Sequence, residues 1–391
     1  MTESVLRVLM IAPTPYFADR GCHVRIYEEA RALTKLGHEV CIVTYHLGRD
    51  MPGVRVVRIP HVPWYSKLEA GPSWHKPYLD ILLLWKSFTE ARSFRPHLIH
   101  AHLHEGALIG SVLKSLLHIP LLFDYQGSLS GESLNHGFFS ATSFLVNVFK
   151  RLERFIDRRA DFIITSSEKG RQELLHEWGI MPEKVINLID GVDTEIFRPH
   201  SNREARRELG IPDDAKLVVY LGLFNRYQGL DLFLDAITLV KSKAPHVRFL
   251  LMGFPDKEYH KKAVEMGIDD IITFTGRVSY DRAAFFLSAG DLAVSPKLAQ
   301  TEANGKLFNY MACGLPTIVF DNNINREILG DDGIYVEHGD TASLADAIVS
   351  TIHNSDLMIS FSRQLRERAI RLHSWNARSK QLVAVYWTLL T

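Results

Sequence analysis

The stretch TEANGKLFNYMACGLP, residues 301–316, decides how the second half of the chain is interpreted. It begins as a polar loop with a glycine and continues as a short helix, because Leu307, Phe308 and Met311 fall on one helical face. The apolar run LAVS, residues 292–295, comes just before it and predicts a buried strand. The predicted order is therefore strand, loop and helix, and ligands of open parallel sheets bind at such junctions.

The start of this helix predicts an anion-binding site. Asn304 and Gly305 leave backbone N–H groups unpaired at the helix N-terminus, where the helix dipole also favours negative charge. Lys306 adds a full positive charge at the same place. An ordinary strand-to-helix connection, in which the glycine only makes a turn, is the alternative interpretation.

The composition predicts a globular protein of two or three domains. The chain has 391 residues, of which 46% are hydrophobic and 23% are charged. Lysine plus arginine and aspartate plus glutamate both number 45, so the net charge gives no reason to expect a nucleic-acid partner. Any anion site must therefore be local.

The cysteines and the N-terminal sequence predict a cytoplasmic protein. Cys22, Cys41 and Cys313 lie far apart without metal-type spacing, as free thiols in a reducing compartment do. The first residues enter the strand-like run VLRVLMIA directly, without the features of a signal peptide. Because no run approaches the roughly 20 apolar residues of a membrane span, we expect a protein that is soluble or bound to the inner face of a membrane. The sequence does not predict an oligomeric state.

Strands and helices alternate twice along the chain, which is typical of doubly wound α/β domains. In the first alternation, strands are predicted at residues 5–12, 40–44, 98–101, 121–123, 162–165 and 185–189. Residues 190–200 are rich in turn-forming and charged residues and predict a linker. In the second alternation, strands are predicted at residues 217–221, 248–252, 271–274, 292–295, 317–320 and 334–336, and a last helix at 377–390.

Three segments make the chain resemble the family 4 glycosyltransferases, which are retaining enzymes of the GT-B fold. They are LGHEVCIVT at residues 36–44, DGVDTEIFRP at 190–199 and FNYMACGLPTIV at 308–319. The last is similar to the family's LEAMACGxPVV segment. The resemblance covers nearly the whole chain, in the right order and with the two-sheet pattern around it.

This resemblance implies two doubly wound, Rossmann-like domains that face each other across a cleft. Residues 1–195 would form the acceptor-binding domain and residues 196–373 the donor-binding domain. Residues 374–391 would form a helix that crosses back to the first domain. The substrates implied are a nucleotide-sugar donor and a sugar, lipid-linked or small-molecule acceptor.

The resemblance also assigns residues of the first domain. Gly21 resembles the second glycine of the family's glycine pair, where the missing side chain lets the backbone approach the donor phosphates. Arg20 stands at the first glycine position, where it would either clash with the donor or contact a phosphate. His102, in LIHAHLHEG, resembles the family's histidine near the acceptor and the reacting sugar, and a structural histidine is the alternative. Gln126 stands where the family often has another active-site histidine, and His104 is expected on the acceptor side.

The histidine run raises the question of a metal site. His100, His102 and His104 would share one face of a strand, and histidine is a common metal ligand. These transferases need no metal, and the run ends in a loop before the three rings can converge. We therefore expect no metal and no cofactor, since the nucleotide sugar is a substrate.

The predicted diphosphate site departs from the family pattern. The family usually has an arginine and a lysine in a GRxxxxKG-like turn after the first strand of the second domain. Here the turn reads GLFNRYQG, residues 222–229, so that Leu223 replaces the arginine and Gln228 the lysine. Stabilising the charge of the leaving diphosphate is the main task of such a site. Arg226 and Lys306 are the substitutes that the motif loops offer, and an arginine can bind two phosphate oxygens at once.

The paired glutamates of the family's E-x7-E motif are also altered. Asn309 occupies the second position, which is usually a ribose-binding carboxylate. Glu302 is the nearby carboxylate for the first position, one residue out of register, and with His102 it is the predicted catalytic residue. The complete set of predicted donor-binding residues is Arg20, Gly21, Gly222, Arg226, Gln228, Gly253, Val278, Asn304, Gly305, Lys306 and Asn309.

The function that these residues favour is a retaining, metal-independent glycosyltransferase. A sugar-nucleotide epimerase or hydrolase of the same fold is one alternative. A catalytically weakened sugar-nucleotide-binding protein, which kept the fold and lost the phosphate clamp, is another. Transfer or hydrolysis, interconversion of sugars, or binding alone would distinguish the three.

Residues 138–159, FFSATSFLVNVFKRLERFIDRR, predict a basic amphipathic helix. Its apolar side consists of Phe144, Leu145, Val148, Leu152, Phe155 and Ile156, and its basic residues are Lys150, Arg151, Arg154, Arg158 and Arg159. The apolar side is either part of the first domain's core or a surface for an anionic membrane.

Overall fold

The structure is a computed structural model that describes residues 4–18, 21–68, 75–129, 144–200, 202–299 and 303–391. Two of the predicted site residues, Arg20 and Glu302, lie outside the described residues, as do residues 138–143 of the predicted amphipathic helix. The chain divides into two compact units. The first consists of Met1–Asp190 with Trp375–Thr391, and the second of Gly191–Ser374.

The first unit is built on a parallel sheet of seven strands, in the order β3-β2-β1-β4-β5-β6-β7. The strands are β1 Arg7–Ala12, β2 Glu39–Thr44, β3 Arg55–Arg58, β4 Leu98–His102, β5 Leu121–Tyr125, β6 Phe162–Thr165 and β7 Val185–Asn187. Central strands such as β4 and β5 are buried along their whole length, as continuous apolar runs in parallel sheets predict. The six predicted strands are confirmed.

Strand β3 was not predicted from the sequence. It reads RVVR, lies at the edge of the sheet beside β2, and is only partly buried. Because it has arginines at both ends and two apolar residues between them, it lacks the continuous apolar run of the central strands.

Helices cover the first sheet and connect its strands in sequence. They are α1 Gly21–Lys35, α2 Lys76–Phe94, α3 Leu103–Leu117, α4 Phe144–Asp157, α5 Glu168–His176 and, from the end of the chain, α14 Trp375–Leu390. Helix α14 packs on α1. Its residues Leu382, Val383 and Tyr386 are buried, because they form the apolar stripe that the sequence predicts.

The second unit has a parallel sheet of six strands, in the order β10-β9-β8-β11-β12-β13. The strands are β8 Lys216–Leu221, β9 Val247–Met252, β10 Ile272–Gly276, β11 Leu292–Ser295, β12 Thr317–Phe320 and β13 Ile334–Val336. All six were predicted, and each unit has its own apolar core. The sequence interpretation of two Rossmann-like domains is therefore confirmed.

The helices of the second unit are mostly short. They are α6 Asn202–Glu208, α7 Leu230–Lys243, α8 Lys257–Glu265, α9 Tyr280–Leu287, α10 Lys306–Ala312, α11 Asn323–Leu329, α12 Thr341–Ile352 and α13 Ser355–Arg368. Helix α10 is the helix of the opening stretch, and Leu307, Phe308 and Met311 on it are buried as predicted. Helix α10 contacts β11 and β12 of the sheet.

Two further observations concern the whole chain. Among the described residues, no helix combines the length and the apolar character that crossing a bilayer requires. Cys22, Cys41 and Cys313 are free thiols, of which Cys41 and Cys313 are buried.

Candidate active site

The carboxyl ends of β8 and β11 bring two predicted donor-binding residues together. The loop after β8 begins at Gly222, whose φ of 151° is a conformation that glycine adopts most readily. A methyl group on Gly222 would lie 2.9 Å from Lys306 Nζ and 3.1 Å from the Tyr220 hydroxyl oxygen. The missing side chain therefore makes room for the lysine.

Lys306 is held by neutral groups. Its Nζ donates a hydrogen bond of 2.6 Å to Gln228 Oε1, lies 3.4 Å from the Tyr220 hydroxyl, and sits 4.5 Å from the centre of the Tyr220 ring. Burial, and then the charge of nearby Lys297, lower the pKa of Lys306 well below its usual range. Gln228 stands at the position of the family's lysine. It therefore contacts Lys306, the lysine that was predicted to substitute for it.

Gly253 follows β9 and packs against the loop that begins at Gly222. A methyl group there would lie 1.8 Å from the Gly222 carbonyl oxygen and 2.6 Å from Phe224. The backbones are joined as well, since Gly222 N donates to Met252 O over 2.9 Å and Gly253 N to Gly276 O over 3.0 Å. The loops after three adjacent strands therefore pack backbone to backbone, which only glycine permits at this position.

Asn304 is buried and organises the loop before α10. Its Nδ2 donates to Asn325 Oδ1 over 2.9 Å and to Ser295 Oγ over 3.1 Å, and Asn325 in turn donates to Phe320 O over 2.7 Å. The side chain thus connects the ends of β11 and β12. Gly305 is the exposed residue that precedes α10.

Arg226 lies in a short 3₁₀ turn whose start is capped by Asn225, which accepts a hydrogen bond from Gln228 N. The arginine is exposed. It borders a cavity of about 510 Å³ whose other lining residues are Phe224, Asn225, Asp231, Pro255, Glu258, Tyr259 and Lys262. Lys306 is not among these lining residues.

The remaining predicted donor-side residues occupy expected elements. Val278 is partly buried between β10 and α9, and Asn309 is partly buried on α10. A cation that sequence reasoning missed, Lys297, is buried just after β11 and donates to the Ala303 carbonyl over 2.9 Å. Its position two residues beyond a predicted strand end was the signal that could have found it.

In the first unit, His102 ends β4 and is fully buried. Its Nδ1 lies 2.9 Å from Asp124 Oδ2, at the end of the neighbouring strand β5. Gln126 donates to the same carboxylate oxygen over 2.7 Å. The structure thus joins His102 and Gln126 through Asp124, which sequence reasoning did not identify.

Asp124 is also paired with Arg25 of α1. Arg25 Nε lies 2.9 Å from Asp124 Oδ2 and Nη2 lies 2.9 Å from Oδ1, while Nη1 lies 2.7 Å from Asp190 Oδ1. Burial raises the pKa of Asp124, but Arg25 and then His102 hold it well below its ordinary range. Asp124 is therefore an ionised, fully hydrogen-bonded carboxylate.

His100 and Glu29 complete this buried cluster. The His100 ring stacks on His102 with the ring centres 4.4 Å apart, and its Nδ1 lies 2.8 Å from the Tyr386 hydroxyl of α14. Burial, and then His102, lower the pKa of His100 well below its ordinary value, so the ring is neutral. Burial raises the pKa of Glu29 well above its ordinary value despite the nearby charge of Arg25.

Ligand atoms of Glu29, His100, His102 and Asp124 lie within 4.8 Å of one another, a spacing that can accommodate a metal ion. The chemistry of the cluster does not fit a cation, because the Arg25 guanidinium already occupies Asp124 and lies 3.2 Å from Glu29 Oε1. A metal ion would have to displace or repel a charge that is always present.

His104 lies on α3 and points to different partners from those of His102. Leu103 between them has a left-handed φ of 60°, and the chain turns from strand to helix there. His104 Nε2 lies 3.4 Å from Asp157 Oδ1 and 3.5 Å from Glu153 Oε1, both on α4. Although burial lowers the pKa of His104, Asp157 and then Glu153 raise it above its ordinary value. The three histidines therefore do not converge on one site.

Gly21 is the first residue of α1 and is exposed, with nothing within 4 Å of the place where a side chain would begin. Arg25 and Glu29 were not predicted as site residues. Four residues apart on a helix, they have the spacing of an ordinary surface ion pair. The donor and acceptor roles of all these residues remain predictions.

Two family models match the chain. One, described as glycosyl transferases group 1, matches residues 215–354, and the other, a glycosyl transferase 4-like domain, matches residues 20–188. Among curated proteins, the chain is 25% identical over 389 residues to a D-inositol 3-phosphate glycosyltransferase of Thermobispora bispora, covering 94% of this chain and 89% of that protein. It is 23% identical to a sulfoquinovosyl transferase of Arabidopsis thaliana, covering 97% and 74%.

Solved structures show the same fold. A sucrose-phosphate synthase from Thermosynechococcus elongatus superimposes with a TM-score of 0.79 and 20% identity, over 98% of this chain and 99% of that chain. HepE from Anabaena, solved in complex with UDP-glucose, superimposes with a TM-score of 0.78 and 17% identity, over 98% of this chain and all of that chain.

Proposed function

Because the chain belongs to the glycosyl transferases group 1 family and is a glycosyltransferase, we propose that it uses a nucleotide-sugar donor and retains the anomeric configuration without a metal ion. The observation that carries the donor assignment is the cluster of Gly222, Gln228 and Lys306 at the carboxyl edge of the second sheet. This edge is where open α/β sheets bind ligands.

The proposed roles follow the chemistry of each group. Lys306 and Arg226 neutralise the leaving diphosphate, and the arriving anion favours the charged form of Lys306. Glu302 and the backbone beside Asn304 orient the donor sugar. His102 borders the reacting sugar and the acceptor. No residue is assigned a covalent role.

The donor and acceptor are proposed as classes. The Anabaena structure with UDP-glucose supports UDP-sugars as the first donors to test. The relatives named D-inositol 3-phosphate glycosyltransferase support a polyol phosphate as one acceptor among the sugar, lipid-linked and small-molecule candidates. We propose a cytoplasmic location for the reaction.

Incubation of the purified chain with UDP-, GDP- and ADP-glucose, with and without candidate acceptors, tests the proposal. Transfer or slow hydrolysis that persists in EDTA, with retained configuration in the product by NMR, is expected. Interconversion of the sugar would indicate an epimerase, and binding without turnover a weakened binding protein. Loss of all turnover in EDTA would contradict metal independence.

The phosphate clamp has its own test. We expect Lys306→Ala and Arg226→Ala each to weaken UDP or GDP binding, because removing a cation that contacts phosphate costs charge-assisted hydrogen bonds of about 1.5–3 kcal/mol each. Calorimetric titration measures this, and the exposed lysine variant Lys261→Ala is the matched control. Unchanged affinity in both clamp variants would contradict the assignment.

Helix α4 supports a proposal of peripheral membrane contact. Val148, Leu152 and Phe155 on it are 48%, 38% and 48% exposed, so the interpretation of this stripe as core is wrong for these three residues. The side of α4 that faces the unit instead contains Glu153 and Asp157, both buried against His104. Val146 and Ile156 are buried as well, so the core interpretation holds for Ile156, and Val148, Leu152 and Phe155 form an apolar strip that faces solvent.

The basic residues of α4 favour an anionic bilayer as the partner of this face. Lys150, Arg151, Arg154, Arg158 and Arg159 are all exposed. Arg159 lies over the Phe155 ring, 4.8 Å from its centre, so positive charge and apolar surface are adjacent. Helices with this combination lie in the headgroup region of anionic membranes, where each basic residue near the surface contributes about 1 kcal/mol.

Co-sedimentation with phosphatidylglycerol vesicles tests the membrane proposal. Binding at low salt that falls as salt rises is expected, together with a loss of binding in Phe155→Glu. Trp85→Glu is the matched control, since Trp85 is 54% exposed on α2. Absence of binding at low salt, or equal loss in both variants, would contradict it.

A further inference from the structure

His102 has a hydrogen-bond partner on one side of its ring only. Nδ1 faces Asp124, whereas Nε2 is buried and has no hydrogen-bond partner among the residues that the structure describes. Leaving a buried polar atom without a partner has a free-energy cost. A hydroxyl that donates to Nε2 would remove this cost, so Nε2 is the atom that is left for a substrate.

The contacts of Asp124 determine which nitrogen of His102 carries the proton. Asp124 receives hydrogen bonds from Arg25 and Gln126 as well as facing Nδ1, and the pKa of its carboxyl is held well below the ordinary range. An ionised carboxylate only accepts hydrogen bonds. Nδ1, which faces this carboxylate, must therefore carry a proton, and Nε2 is the ring nitrogen that remains for a substrate hydroxyl.

We propose that Asp124 is a positioning residue for glycosyl transfer, which holds His102 in the tautomer whose Nε2 accepts a hydrogen bond from a hydroxyl of the transferred sugar. Arg25 orients Asp124 with two parallel contacts, and Gln126 occupies the remaining side of the carboxylate. This inference rests on the proposed function. The inference adds to the proposed function by naming the His102 atom that contacts the substrate, the tautomer of its ring and the class of group that it recognises.

Two variants distinguish the positioning of His102 from the mere loss of a negative charge beside Arg25. Each of them removes one carboxylate that is paired with Arg25. Asp124→Asn removes the partner of both His102 and Arg25, and its amide can donate to Nδ1 and so favour the wrong tautomer. Asp190→Asn removes a partner of Arg25 that is not bonded to His102. We expect kcat to fall at least a hundredfold in Asp124→Asn and less than threefold in Asp190→Asn, with UDP affinity unchanged in both.

A double variant tests whether Asp124 acts through His102, and a measurement on the native chain keeps the inference testable if Asp124→Asn folds poorly. If Asp124 acts through His102, the double variant Asp124→Asn/His102→Gln should be no slower than His102→Gln alone. In ¹⁵N-histidine spectra of the whole native chain, the His102 signals, identified by their loss in His102→Gln, should show Nδ1 protonated.

The outcomes separate this inference from the proposed function. A native enzyme that transfers sugar, with Asp124→Asn equally active or with an Nε2-protonated His102, overturns the positioning role and leaves the function intact. A native chain that turns over no sugar nucleotide contradicts the proposed function, and the substrate role inferred here fails with it, whatever tautomer the spectra show.

Discussion

At the scale of single residues, the close packing around Gly253 predicts that a side chain at this position destabilises the protein. A methyl group at this position would overlap the Gly222 carbonyl oxygen at 1.8 Å, so Gly253→Ala forces the two loops apart. Overpacking of this kind costs about 1–3 kcal/mol, and backbone cannot rotate away as a side chain can. We expect a lower melting temperature and weaker UDP binding, measured by thermal unfolding and calorimetry.

Gly21→Ala is the matched control for this prediction. Both glycines are predicted donor-binding residues, but a side chain at Gly21 meets no atom within 4 Å. Stability should be unchanged or slightly higher, since alanine favours a helix over glycine by about 0.5–1 kcal/mol. Equal destabilisation in the two variants would contradict the account of the loop packing.

The lowered pKa of Lys306 predicts that the affinity for UDP depends on pH. Burial and Lys297 lower its pKa in the free protein, and a bound diphosphate would raise it again. Binding should therefore take up a proton, and affinity should fall as pH rises between the pKa of the free and of the bound form, by up to about tenfold per pH unit. Titration with UDP above neutral pH, in buffers of different ionisation enthalpy, measures the uptake.

The phosphate of the nucleotide also titrates, so a variant must isolate the lysine. In Lys306→Gln the proton uptake above neutral pH should disappear, and the remaining pH dependence should be that of the nucleotide. Proton uptake of the same size in the variant would show that another group is responsible.

At the scale of elements, the contact between α3 and α4 predicts a pH dependence of stability. The pKa of His104 is raised in the folded chain, so its contribution is present below its ordinary value of 6.5 and is lost as pH rises through the raised value. The pKa of Asp157 is also raised, by burial, against the opposing effect of His104. A raised carboxyl pKa acts in the same direction, since the folded state loses stability as that group ionises.

Melting temperature should therefore decline from mildly acidic to mildly alkaline pH. The groups facing His104 are Asp157 and Glu153 of α4 and the neighbouring Glu105. In His104→Gln the part of the decline that His104 causes should be lost, the part that Asp157 causes should remain, and the stability at acidic pH should be lower, because breaking a buried charge pair costs roughly 3–5 kcal/mol. A parallel decline in native and variant chains would assign the effect to other groups.

The same elements show what sequence can and cannot predict. All strands with continuous apolar runs were predicted, because burial on both faces of a parallel sheet leaves a local pattern. Helix α4 was ambiguous because its inward face combines apolar Ile156 with Glu153 and Asp157, and these two carboxylates contact His104 of another helix. Local periodicity contains no information about such a partner.

The residues of the candidate site also fall into two groups, those that were predicted from the sequence and those that were not. Gly222 and Lys306 were predicted from short motifs and Gly253 was among the predicted donor-binding residues, and the structure brings Gly222 against both of the others. Asp124 and Arg25 were not, since their hydrogen bond joins residues 99 positions apart. Each looks ordinary alone, an acidic residue in a strand and a basic residue in a helix, and only the sheet order makes them neighbours.

At the scale of the whole molecule, the two units should unfold separately. Each has its own buried apolar cluster, and the end of the chain belongs to the first unit rather than to the second. Ligands stabilise the state that binds them, so UDP, which we propose binds the second unit, should raise that unit's transition. Calorimetric scans with and without UDP should therefore show two transitions, of which one responds.

Removal of residues 375–391 identifies the other transition. Helix α14 buries Leu382, Val383 and Tyr386 in the first unit, and Tyr386 bonds His100 at the centre of the buried cluster. Burying such side chains is worth about 1.5–3 kcal/mol each, so their loss should lower the first unit's transition by at least roughly 10 °C. The UDP-responsive transition should keep its position and its shift, because α14 belongs to the first unit. A truncated chain in which the UDP-responsive transition falls equally would contradict the assignment of α14 to the first unit.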